Sequence, residues 1–408
     1  MTAKKWGQMA AGLICMLSIS SPQYVWTLFT PHLRTELSVG APALQVTFSI
    51  LIVVQTLFSP VQGWIARHVV PRVLIGAGVI VTGLSWVAAA QVHSLAMLYM
   101  TYGLLGGIGT GIVYVGVVSL LMEWFPENRG MAAGMGAAGY GMGAMLTTFP
   151  IAHMMAASGW RSTMVVFGLL IAVTGTVAAC FLYRPDAHAL STRQQVLWGA
   201  NTAQVVRSPI FWLMFFMMAT MATSGLMVTS QLAQIAADKG VAHLMVWGMA
   251  ALPLAMTLDR IANGLTRPMF GWISDRIGRE LTMTIAFMLE AVALACWIGL
   301  SSHPVLFVLL SGVVFLGWGE IFSLFPATLT DTFGTRDASR NYGILYMAQG
   351  VGAILGGPLA AWLHEATGGN WGPVFVCAIG GDILTATLAF AVLRPMRKRY
   401  MARPDVHS

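Results

Sequence analysis

Twelve runs of mostly apolar residues, each 20 or more residues long, follow one another along this 408-residue chain. They lie at about 9–31, 43–65, 73–92, 95–122, 130–155, 161–183, 210–235, 246–272, 281–300, 304–327, 339–363 and 372–393. A helix of about 20 residues crosses the roughly 30 Å hydrocarbon core of a bilayer. Water does not reach that core, so a crossing segment must satisfy its own backbone N–H and C=O groups, as a helix does. The runs therefore predict an all-α polytopic membrane protein with twelve transmembrane helices, spans 1 to 12 in chain order. Only 9% of the residues are charged, against about 25% in soluble domains.

The longest polar gap, 184–209, parts the runs six and six. It predicts an N-terminal six-helix bundle at 1–183, a cytoplasmic central loop at 184–209, a C-terminal six-helix bundle at 210–394 and a short basic cytoplasmic tail at 395–408. Lys and Arg counts give the orientation, because cytoplasmic loops carry the excess. With the N-terminus inside, 17 of the 22 fall on the cytoplasmic side. Arg34, Arg161 and Lys239 fall outside, and Arg260 and Arg267 lie within span 8. Both termini are then cytoplasmic, in the plasma (inner) membrane. Lys4 and Lys5 resemble the start of a signal peptide, but the run behind them continues to about Pro31 and eleven more follow, which reads as an uncleaved span.

Several function classes fall away. The net charge of +7 is spread over short loops and the two ends, which excludes a nucleic-acid face. Cys15, Cys180, Cys296 and Cys377 fall in four different runs with no CxxC or Cys/His cluster, so neither a disulfide framework nor a metal or other cofactor is expected. No nucleophile–base pair is visible, so the chain does not read as an enzyme. The runs GLLGGIGTG (103–111), GMGAAGYGMG (134–143) and GVGAILGG (350–357) lie inside apolar spans with no strand before them, which suits close helix packing and not a dinucleotide loop.

The halves echo each other. GWIARHVVPR (63–72) and GWISDRIGRE (271–280) both follow a second span at an offset of 208 residues, and WFPENRG (124–130) and TFGTRDASRNYG (332–343) both follow a fourth span. Such a repeat is the layout of a transporter that rocks two bundles about a substrate near the midplane. Arg267 lies eight residues before Asp275, roughly 12 Å back from the polar end of its run. A charge at that depth is costly and marks a functional site by default. A guanidinium matches a carboxylate bidentately and stays charged at physiological pH. Asn263, one turn earlier on the same face, can hold it. Pro268 tends to kink the helix beside it.

At GWISDRIGR the chain resembles the major facilitator superfamily, whose loop signature places an aspartate, basic residues and a second glycine after the second span of a half. The resemblance implies a conformational lock at Asp275, Arg276 and Arg279. The first copy departs from it, with Arg67 at the aspartate position and Val70 at the second glycine. Within the superfamily, PQYVWTLF (22–29), GIVYVG (111–116), EWFPENRGMAAG (123–134), AAGYGMG (137–143), NGLTRPMFG (263–271), GWGEIFSLFPA (317–327) and RNYG (340–343) resemble the oxalate/formate antiporter group, which is related to monocarboxylate transporters. That resemblance implies Arg267 as the substrate cation inside a cage drawn from Gln23, Tyr24, Tyr114, Tyr140, Trp318, Phe322 and Tyr346. It also implies a second cation, a lysine, on span 11, where this chain has Gln349, and a small residue where it has Glu320. Asn263 stands where animal monocarboxylate transporters have an aspartate proposed to couple protons.

Both departures remove positive charge. The expectation is a secondary transporter of a small organic carboxylate working by alternating access, as anion exchange or proton symport. A monocarboxylate or short hydroxy- or keto-acid is favoured over oxalate. Asp259, Arg260 and Glu320 are coupling or charge-compensating candidates: Arg260 either replaces the missing lysine or pairs with Asp259 or Glu320, and Glu320 either carries a proton or neutralises an arginine. Expected partners are a small organic anion, a proton or counter-anion, and the bilayer, with the protein a monomer. One rival is an exporter of neutral or cationic compounds using Glu320 and Asp259; another is an anion sensor that moves nothing.

Overall fold

The computed structural model describes residues 2–57, 59, 65, 69–125, 129–185, 199–334 and 336–402. Arg67, residues 126–128 of WFPENRG, most of the central loop and the last six residues lie outside this set. The described chain is almost wholly helical, apart from a two-residue antiparallel pairing of Met245–Val246 with Met249–Ala250.

Eight helical stretches are long and apolar enough to cross a membrane, and one of them, Gly134–Cys180, holds both span 5 and span 6. That stretch is interrupted at Gly159, whose φ of +79° breaks the helical path. Glycine takes this backbone conformation without the steric cost a Cβ brings. Spans 1, 2 and 8 account for the rest of the twelve. Span 2 is seen as Ala41–Leu57, span 1 is broken, and span 8 carries charge inside the membrane.

The breaks position the site. Span 1 runs as Thr2–Ser18, a short turn Ser21–Tyr24, and Trp26–Leu37. Pro22 contributes no N–H at the break, and its carbonyl accepts the Tyr102 hydroxyl at 2.6 Å. Ser20 donates to the Tyr140 carbonyl at 2.6 Å and accepts from the Ala144 amide at 3.0 Å, fastening the break to span 5. Span 10 is interrupted between Pro304–Trp318 and Ile321–Phe333, at Gly319 and Glu320. Spans 8 and 10 cross closely there: a Cβ on Gly319 would come within 2.8 Å of the Asn263 carbonyl.

Two expected boundaries move. Span 8 starts at Ala251 and runs to Ile277, because Trp247 and Gly248 turn the preceding residues into the hairpin with φ of +51° and +81°. Asp275 and Arg276 therefore lie in the last turn of a helix. The basic segment after span 12 continues as the helix Arg394–Met401, and Arg397 is buried against Glu280 and Thr332.

Polar contacts join the halves at the end of the molecule away from both termini. Gln45 donates to the Ser230 carbonyl at 3.0 Å, Arg34 to Gln234 at 3.0 Å, and Thr27 accepts from the Ala233 amide at 2.9 Å. Ser49 donates to the Ala353 carbonyl at 2.7 Å, and the Ala41 amide reaches Glu365 at 3.1 Å.

Candidate functional site

Arg267 lies 16 residues into span 8 and is 2% exposed. Its Nη1 donates to the Ala137 carbonyl of span 5 at 2.5 Å, and its Nη2 to Asn263 Oδ1 at 3.3 Å. Phe322 of span 10 lies under the guanidinium, 4.5 Å from ring centre to Cζ. Nε is buried without a partner, and so is the Asn263 amide nitrogen. Donors in a dry site that are left without acceptors are costly, and an anion supplies what they lack.

Arg260, two turns earlier on the same helix, is also buried. It is sandwiched between Tyr24 of span 1 at 4.1 Å and Phe315 of span 10 at 4.2 Å. Among the described residues no ion pair joins it to Asp259 or Glu320: both oxygens of each carboxylate are buried without hydrogen-bond partners, as is Arg260 Nη1. Neither expected pairing is therefore made. Arg260 is instead held by ring faces, an attraction worth about 2 kcal/mol when desolvated.

The aromatic residues close a circuit around the two cations. From Tyr24 the ring contacts pass to Tyr140 at 5.5 Å, to Tyr114 at 5.4 Å, and to Tyr346 at 5.6 Å with the planes nearly parallel. They continue to Phe322 at 6.2 Å, Trp318 at 5.4 Å and Phe315 at 5.6 Å, and Phe315 returns to Arg260. Tyr24, Tyr114, Tyr140, Trp318, Phe322 and Tyr346, each named from the sequence, thus stand in one chain of contacts drawn from spans 1, 4, 5, 10 and 11. Gln23 joins them, since the Tyr140 hydroxyl donates to its Oε1 at 2.7 Å. Gln349 is buried one turn past Tyr346, with its carbonyl oxygen unpaired.

Four contributors escaped the sequence reading. Phe315 completes the circuit. Gln55 of span 2 places its Oε1 3.3 Å from the Tyr140 hydroxyl. The Ala137 carbonyl carries no side-chain signal at all. Gly141 faces the guanidinium so closely that a Cβ would stand 3.1 Å from Nη2 and 3.3 Å from Cζ; the hints were its place in a glycine-rich run and in the stretch AAGYGMG.

The remaining three residues lie at the helix end nearest the termini. Asp275 accepts from Arg279 at 2.7 Å, and Arg279 also bonds Asp331 at the end of span 10 at 2.9 Å. Arg276 is turned away, over the Trp272 ring at 3.7 Å.

Two cations thus lie inside an aromatic enclosure at the contact of two helical halves. The family profile of the Major Facilitator Superfamily matches residues 9–258 and 234–406, and the chain belongs to that superfamily. It is an integral, multi-pass membrane transporter with the all-α, twelve-helix, two-bundle fold, and not an enzyme. It is 29% identical to the oxalate:formate antiporter of Oxalobacter formigenes over 98% of this chain and 95% of that protein. It is 28% identical to an uncharacterized transporter of the same superfamily from Escherichia coli over 86% of each chain. It is 25% identical to monocarboxylate transporter 13 of Rattus norvegicus over 81% of this chain and 75% of that one.

Proposed function

We propose that this transporter carries a small organic carboxylate by alternating access, with Arg267 as the receptor for the carboxylate group. The observation that carries the reading is the Arg267 guanidinium itself. It is buried 16 residues into the 27-residue span 8, steadied by the Ala137 carbonyl and Asn263 against Phe322, and left with an unpartnered Nε. Tyr24, Tyr114, Tyr140, Trp318, Phe322 and Tyr346 close around the anion and exclude water, so that it is desolvated only against a fixed cation. Gln23 and Gln349 offer neutral amides to the rest of the substrate. The Asp275–Arg279–Asp331 cluster holds one end of the C-terminal bundle in one conformer. The domain boundaries read from the sequence, cytoplasmic termini and a monomeric protein belong to the same reading.

With Gln349 where the family resemblance implies a second cation, a monocarboxylate or a short hydroxy- or keto-acid suits the site best. A second reading, a dicarboxylate reaching both cations, is favoured by one observation. Arg260 keeps Nη1 free of any partner and borders the same aromatic circuit.

The test is counterflow in proteoliposomes with no ion gradient, using oxalate, formate, lactate, pyruvate and glycolate one at a time. Exchange of monocarboxylates without oxalate is expected. Exchange of oxalate that is lost in Arg260→Gln supports the second reading. Silence for every acid, with competition by lipophilic cations for another substrate, replaces the carboxylate reading with that of an exporter.

A further inference from the structure

Behind the aromatic circuit, inside the C-terminal bundle, three carboxylates from three helices are buried together. Glu290 lies on span 9 (Arg279–Leu300), Glu320 at the break of span 10, and Asp382 on span 12 (Gly372–Leu388); all three are 0% exposed. None of them forms an ion pair among the described residues. Both oxygens of Glu320, both of Asp382 and Oε2 of Glu290 have no hydrogen-bond partner. Three ionised carboxylates cannot share a dry interior without compensation, and the cheapest compensation is a proton.

Ser224 of span 7 (Pro209–Asp238) supplies an independent indication. Its Oγ lies 2.7 Å from Glu290 Oε1 and 3.0 Å from the Met221 carbonyl. The serine has one hydrogen, and the carbonyl can only accept. Both contacts are satisfied at once when the hydroxyl donates to Met221 and a protonated Glu290 donates to the hydroxyl. The side chains do not converge tightly enough for a metal ion among the described residues. The fit is to protons.

We propose that Glu290 and Asp382, with Glu320 as the link to the substrate cavity, form a proton-binding site that couples anion movement to proton movement. The charged groups that act on this site are few. Glu290 feels Asp382 and Glu320, Asp382 faces the Ser224 hydroxyl, and Glu320 feels Asp382 and Arg267. An anion arriving at Arg267 cancels the positive field that reaches Glu320, so protons bind more readily on the cluster when the cavity is filled. By reciprocity, protons on the cluster favour the anion. The two then travel together, and one negative charge is offset by one proton. This rests on the carboxylate reading for its cargo but uses residues outside the cavity.

Two measurements on the full-length protein test it. Infrared spectra of the lipid-embedded protein at neutral pH should show a protonated-carboxyl stretch that weakens in Glu290→Gln and in Asp382→Asn. A wild-type spectrum without that band overturns the proposal whatever the cargo. In proteoliposomes, the acid that exchanges in counterflow should accumulate when the outside is more acidic, by up to about tenfold per pH unit for one proton per anion. Glu290→Gln and Asp382→Asn should lose that accumulation while still exchanging. Exchange in the wild type that ignores the proton gradient, or follows a sodium gradient instead, overturns the proposal and leaves the carboxylate reading standing. Failure of every acid to exchange counts against the carboxylate reading alone, and the infrared band still decides the proton site.

Discussion

The two halves of this protein differ in what they bury. Among the described residues every buried charged side chain belongs to the C-terminal half: Asp259, Arg260, Arg267, Glu290, Glu320, Asp382 and Arg397. The N-terminal half brings Gln23, Tyr24, Gln55, Tyr114 and Tyr140 to the same place, all neutral. Two bundles from one repeat have thus divided the work. On the carboxylate reading proposed above, one carries the charges that attract and balance an ion; the other provides a polar, uncharged wall that can move against it. Alternating access benefits from this, because a wall without fixed charge can part from the anion without breaking an ion pair.

Changes on the neutral wall sharpen that comparison most. Gly141 is an N-terminal residue whose only evident duty is to leave room for a C-terminal cation. Gly141→Val should push the guanidinium off the Ala137 carbonyl and raise the half-saturating substrate concentration by about tenfold to a hundredfold, the range that misplacement by an ångström produces. Unchanged counterflow kinetics would show that the close fit is incidental. Gln349→Lys tests the other half by adding a positive charge beside the two buried arginines of the aromatic circuit, Arg260 and Arg267. It should shift preference towards oxalate over monocarboxylate by about tenfold, the worth of one charged hydrogen bond, as read from competition in the same vesicles.

Smaller effects follow at the wall's hydrogen bonds and at the helix ends. Tyr140→Phe removes a neutral bond to Gln23 worth about 1 kcal/mol, so affinity should fall roughly fivefold with the fold intact. A larger loss would mean that the hydroxyl touches substrate. Arg279→Gln breaks partly exposed pairs with Asp275 and Asp331, each worth roughly 0.3 kcal/mol. Its effect should be below about threefold and confined to the transport rate, because the pairs lie far from the anion. A change in substrate preference would contradict the assignment as a conformational clamp.

Much of this arrangement was legible in the sequence because membranes impose simple rules. Run lengths gave the spans, and the depth of Arg267 marked it before any contact was known. The aromatic residues were reached through resemblance; nothing in their spacing shows which face of a helix meets the cavity. The breaks at Pro22 and Glu320 were hidden, since glycine and proline also occur within unbroken membrane helices. The fate of Arg260 depended on where Tyr24 and Phe315 fall in the fold, which a single helix cannot reveal. Nothing in the sequence tells which helix face Glu290 or Asp382 occupies; the packing of spans 7, 9, 10 and 12 brings them together. The Ala137 carbonyl is a backbone atom, and no residue pattern announces it.

The most direct measurement compares counterflow of the preferred acid by the wild type and by Arg267→Gln, inserted into vesicles at equal density and checked for folding by thermal stability. If Arg267 is the carboxylate receptor, the variant loses exchange by at least about tenfold, since each charged hydrogen bond contributes roughly 1.5–3 kcal/mol, while its stability stays near that of the wild type. Exchange at the wild-type rate by a folded Arg267→Gln protein would remove the cation from the site and with it the carboxylate-receptor mechanism.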